Sequence, residues 1–151
     1  MRIGLATAFL AITVLSMGAA AQKTVPTEHQ GRWVPAKGAC DSPAAVVVAA
    51  DRVTLINGKD TETLSDIEMA GPGWFPPGYR GIMAVLQTEF NGQQPATVMF
   101  NLGEKKGVGQ VEFSPVTLRP NTPVSAYDAR ILKLNLAKRF PLDKVPLKKC
   151  A

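Results

Sequence analysis

No regular helix and no central strand can run from Gly71 to Gly81. These eleven residues hold four glycines, three prolines and three aromatic rings, Trp74, Phe75 and Tyr79. Proline fixes φ and removes a backbone donor, and glycine gives up local rigidity, so the segment reads as an ordered loop that divides the chain. Aromatic rings on such a loop either pack down as a lid over the end of a core or stand out as a contact surface. Trp74, Phe75, Tyr79 and Arg80 are therefore candidate binding residues.

The chain opens with Arg2, an apolar run from Ile3 to Met17 and the small residues Ala19-Ala20-Ala21. This is the pattern of a secretory leader, with cleavage expected before Gln22. The run is shorter than the ~20 residues needed to cross a bilayer, and no second apolar span follows. The expectation is an exported, periplasmic or secreted chain of one domain over residues 22–151, with no integral membrane segment after leader removal.

Two cysteines, Cys40 and Cys150, follow the leader. In an oxidising compartment an even count reads as a disulfide, here closing nearly the whole domain and anchoring the end of the chain.

The rest of the chain reads as β-strands. Gly31-Arg32-Trp33 heads the first strand, with Cys40 close behind, and this opening resembles that of the lipocalins and their relatives. The resemblance spans residues 31–40 and implies a ligand-holding calyx, whereas the residues alone read Trp33 as a core residue closing one end of a barrel or sandwich, which is the preferred expectation. Ala44 to Ala50 is a continuous apolar run, a buried strand. Val53-Thr54-Leu55-Ile56 leads into Asn57-Gly58, a strong hairpin signal, and Lys59 to Met69 returns as the partner strand. A three-residue loop, Ile56-Asn57-Gly58, pairs Leu55 with Lys59 and gathers the odd apolar positions on one face. It sends Asp60, Glu62, Asp66 and Glu68 to the other, read as a solvated face rather than a cation site, with Leu64 as the one dissenter.

Beyond the proline-rich loop the logic repeats. A loop on Phe90-Asn91-Gly92 opposes Leu86 with Ala96, Ala84 with Val98 and Ile82 with Phe100, all apolar. Val111 and Phe113 continue the core after a turn at Gly103–Gly107. The fold expected is thus all-β, a small antiparallel barrel or sandwich of about seven to eight strands in a meander.

Residues 127–140 carry two readings. Ser125-Ala126-Tyr127-Asp128 resembles a helix capping box, which would add one short C-terminal helix. The apolar positions nevertheless fall on every side of a single helical wheel, whereas a strand with a bulge at Ile131-Leu132 accommodates them. The strand is the preferred expectation.

The catalytic inventory is thin. His29, the single histidine, falls in a polar stretch, Gln22 to Gln30, expected to be loose and exposed. There is no phosphate-cradling glycine loop, no dinucleotide fingerprint and no set of zinc ligands, so no cofactor, metal or catalytic residue is assigned. Charge is uneven: Asp41 to Ala70 holds six acids and two bases, while Ser125 to the end holds seven bases and two acids. The segments either neutralise one another in the fold or leave Lys138, Arg139, Lys148 and Lys149 as a basic binding surface.

A non-enzymatic binding module follows. It would be an inhibitor or immunity-type protein that docks an envelope enzyme or toxin on its aromatic loop, or a binder of an envelope polyanion or glycan. Nucleic acid is excluded for want of a dense basic arm. A small hydrolase using two carboxylates brought together by folding is the third reading.

Overall fold

The structure, a computed structural model, describes residues 24–65, 67–70, 82–86, 94–117, 121 and 123–151. Among the described residues are nine strands: β1 Gly31–Pro35, β2 Ala44–Val48, β3 Val53–Asn57, β4 Asp60–Leu64, β5 Ile67–Ala70, β6 Ile82–Leu86, β7 Ala96–Phe100, β8 Val108–Phe113 and β9 Pro146–Lys149. Two short helices, α1 Ala126–Lys133 and α2 Leu136–Arg139, precede β9. The strands form one sheet in the order β4-β3-β2-β1-β9-β8-β7-β6-β5, and adjacent strands pair antiparallel. Two meanders, β1 to β4 and β5 to β8, are thus joined by β9, which lies between β1 and β8.

Chain connectivity forces this sheet to curl. The edge strands β4 and β5 are consecutive in sequence, so Leu64 and Ile67 lie at most about 11 Å apart. A flat sheet of nine strands would separate its edges by roughly 38 Å. The sheet therefore bends into a half-barrel whose two edges meet near one run of chain. The side-chain phase changes at that run: Leu64 is buried in the core, and Ile67 and Met69, three and five positions later, pack against it. An odd step between inward positions is the mark of a corner. It explains why Leu64 departs from the alternation of the residues after it.

The second hairpin has the register expected of it, with Ile82 opposite Phe100, Ala84 opposite Val98 and Leu86 opposite Ala96. Its Asn91-Gly92 turn lies outside the described residues. The first hairpin corrects the expectation. Leu55 faces Glu62 and Asn57 faces Asp60, so the two-residue loop is Gly58-Lys59, with Gly58 at φ +61°. Glycine at the first central position is what a type II′ turn requires. The changed register turns Asp60, Glu62 and Leu64 to the face shared by Val53 and Leu55, so the first two acids are not on a solvated face. Their reason for turning inward is Arg139.

Ala126–Lys133 and Leu136–Arg139 are helical, not a bulged strand. Ser125 Oγ accepts the Asp128 amide at 3.0 Å, capping α1, and Arg130 and Lys133 in its last turn complement the helix dipole. Asn135 then adopts a left-handed conformation, φ 48°, which breaks the helix and resets its phase. The single wheel showed no stripe because two helices with different phases share the segment. The first buries Asp128 and Ile131, the second Leu136, and Leu134, Phe140 and Leu142 add to the same core.

The start of the described chain is not loose. Thr27–His29 forms a 3-10 helix, tied down by Val25 N to Ala50 O at 2.7 Å. His29 is buried and stacks on Phe100 with ring centroids 4.9 Å apart. Trp33 lies tilted against the same ring at 5.4 Å, and its Nε1–H donates to His29 O at 2.9 Å. Trp33 is thus the core residue expected of it. Trp33, Phe100, Phe140, Leu55, Leu142 and Leu147 are fully buried together in one core cluster.

The Cys40–Cys150 disulfide is present, with Cα atoms 5.8 Å apart. It fastens the loop after β1 to the end of β9. Arg32 reinforces it, donating Nε to Cys40 O at 2.9 Å and Nη2 to Ser42 O at 2.8 Å. Val34 and Ala45, on the outer face of β1 and β2, are completely buried although they are not part of the inner core.

Candidate functional site

Trp74, Phe75, Tyr79 and Arg80 lie outside the described residues. The four basic candidates are described, and they do not converge. Lys148 and Lys149 are neighbours on β9 and so point to opposite faces of the sheet. Lys149 reaches the N-terminal 3-10 helix, where Nζ donates to Glu28 O at 2.7 Å. Lys148 is half-buried and Lys138 exposed.

Arg139 is the most constrained of the four. Its Nε and Nη2 donate to Asp60 Oδ2 and Oδ1 at 3.0 and 2.6 Å, and its Nη1 donates to Glu62 Oε2 at 2.6 Å. Carbonyls of Thr61 and Leu134 accept from the same guanidinium at 3.3 Å, and Asn57 Nδ2 returns a bond to Arg139 O at 2.7 Å. The planar fork of arginine suits this two-carboxylate site, which a lysine could not fill. Hydrogen bonding from Arg139 holds the Asp60 carboxyl below its ordinary range, against the opposing effect of burial. The cluster latches α2 to the β3–β4 hairpin. At this point the acidic and basic segments of the chain neutralise one another.

His29 is perturbed as well. Burial lowers its pKa below the ordinary value; Glu28 opposes the shift and Lys149 adds to it. The ring is stacked inside the core, a poor position for a general base working on solvent-borne substrate. Among the described residues, no group of three or more His, Cys, Asp or Glu side chains is placed to hold a metal ion.

A groove of about 390 Å³ opens between the chain leaving β8 and the two helices. Phe113, Ile131 and Leu136 form its buried floor, with Val116 and Leu132 on its walls. Ser114, Asn135 and Lys138 supply polar groups at an exposed rim. Its position follows from local chemistry: the Ser125 cap starts α1, the left-handed Asn135 turns α2 away, and Ser114 N to Pro95 O fixes the opposite wall at 3.2 Å. Of these residues the sequence reading singled out Lys138 alone. The capping box was the signal for the rest, because it makes Ile131 and Leu136 helical and places them beneath one surface.

The chain matches no protein-family model, and no curated protein and no solved structure shows significant similarity to it.

Proposed function

We propose that the protein is an exported, non-enzymatic binding module that docks a protein of the cell envelope, in the manner of an inhibitor or immunity protein. The observation carrying this reading is the packed core on the inner face of the curled sheet. With Trp33, Phe100 and Phe140 buried inside it, ligand recognition falls to the outer surface rather than to a calyx. The Cys40–Cys150 disulfide accords with an oxidising compartment outside the cytoplasm, and no helix of the described residues is long and apolar enough to cross a membrane. Trp, Tyr and Arg dominate interface energetics, which makes Trp74, Tyr79 and Arg80 the anchors of choice. The polyanion reading is weaker, because Arg139 is already neutralised and Lys148 and Lys149 diverge.

A pull-down from envelope extract at low and high salt, with wild type beside a Trp74→Ala, Tyr79→Ala variant, tests the reading. One partner retained at high salt by wild type alone is the expected result. Retention that is lost at high salt in both proteins overturns it in favour of polyanion binding, since salt screens exposed charge.

A further inference from the structure

We infer that the groove beside α1 and α2 binds a small amphipathic carboxylate, its apolar body on Phe113, Ile131 and Leu136 and its carboxylate at the ammonium of Lys138. This goes beyond the docking of a protein partner and rests on other residues. The floor is hydrocarbon and aromatic, so an apolar group gains by leaving water there. The rim is charged with one sign only: among the described residues that line the groove, Lys138 is the single charged one.

Lys138 and Arg139 are adjacent but differ in kind. Arg139 is held by Asp60 and Glu62, whereas Lys138 makes no ion pair among the described residues and is exposed at the groove. A single ammonium beside an apolar trough matches a single negative charge at the end of an apolar chain, not a polyanion and not a cation. Asn135 and Ser114 at the same rim add neutral hydrogen-bonding groups. At roughly 30 Å³ for a water-sized group, the volume holds about a dozen heavy atoms, the size of decanoate.

The test titrates the disulfide-bonded, isotope-labelled protein with decanoate, decan-1-ol and decyltrimethylammonium below their micellar concentrations, following methyl resonances by NMR. Decanoate is expected to move the Val116, Ile131 and Leu136 methyls saturably while Leu55, in the barrel core, stays still. Lys138→Gln should weaken decanoate roughly fivefold and leave decan-1-ol unchanged. Ala137→Trp, at an exposed position lining the groove, should abolish binding of both without unfolding the protein. Groove methyls unmoved by decanoate, decyltrimethylammonium binding as well as decanoate, or full binding by Ala137→Trp would each overturn the inference. None of these outcomes depends on the pull-down, so the two readings fail separately.

Discussion

The indole of Trp33 occupies the space that a side chain at Gly109 would need. A Cβ on residue 109 would come within 3.1 Å of Trp33 Cε3 and Cζ3 and of the Met99 carbonyl oxygen. The ring cannot withdraw, because Phe100 and the His29 carbonyl hold its other sides. Gly109→Ala should therefore destabilise by about 1–3 kcal/mol through overpacking. Gly58→Asn is the contrast. A Cβ at Gly58 meets nothing within 4 Å, but φ +61° at the first position of a type II′ turn is one that an L residue adopts only with strain, so the cost there is conformational rather than steric. It should amount to about 1–3 kcal/mol in urea unfolding.

Replacing Arg139 by Met leaves Asp60 and Glu62 facing one another without their cation, and the urea midpoint should fall. The loss should depend on pH. Because Arg139 depresses the native pKa of Asp60, the stabilisation is complete above the unfolded value near 3.8 and disappears as pH drops through the native one. The gap between wild type and Arg139→Met should close on acidification below 3.8. A gap that persists unchanged into acid would show that Arg139 acts through packing on Phe140 rather than through the carboxylates.

His29 works in the opposite range. Its native pKa lies below 6.5, so the unfolded chain takes up a proton before the native one does. The contribution is fully present above 6.5 and is lost as pH falls from there toward the native value. Wild type should lose stability over that interval relative to His29→Phe, which keeps a ring against Phe100 but has no proton to bind. The His29 Hε1 resonance should titrate below 6.5 in the same samples.

Removing the Cys40–Cys150 bond tests the outer layer of the fold. The disulfide spans 110 positions, and a Cys40→Ala, Cys150→Ala variant should lose about 4 kcal/mol. Amide exchange should accelerate first at Gly38 and Ser42, whose loop then keeps only the Arg32 contacts and short-range backbone bonds near its ends.

Local signals in the sequence carried the fold where the local chemistry was self-consistent. Ile82, Ala84 and Leu86 match Phe100, Val98 and Ala96 in only one register, and the structure has it. The first hairpin misled because Asp60 and Glu62 look like surface residues until Arg139, 79 and 77 positions later, supplies their partner. Residues 127–140 misled for a different reason, since the reversal at Asn135 splits what a single wheel treats as one element. His29 looked exposed because a polar neighbourhood in sequence says nothing about a ring stacked on Phe100. Of the candidate groove, the capping box at Ser125 was legible. The facing wall at Ser114 was not, because it is fixed by a backbone bond to Pro95.

The position of β9 between the two meanders bears on how the sheet can be assembled. Each meander is built from hairpins between neighbours in sequence, contacts that close quickly. Among the described residues the seam between the meanders is made by β9, through Trp33 with Lys149 on one side and Gly109 with Leu147 on the other. Until Pro146–Lys149 arrives, β1 and β8 each present an unpaired backbone edge, the form in which strands recruit other chains. Truncation before Pro146 should therefore favour aggregation over a smaller folded protein, because four residues are all that cover two strand edges.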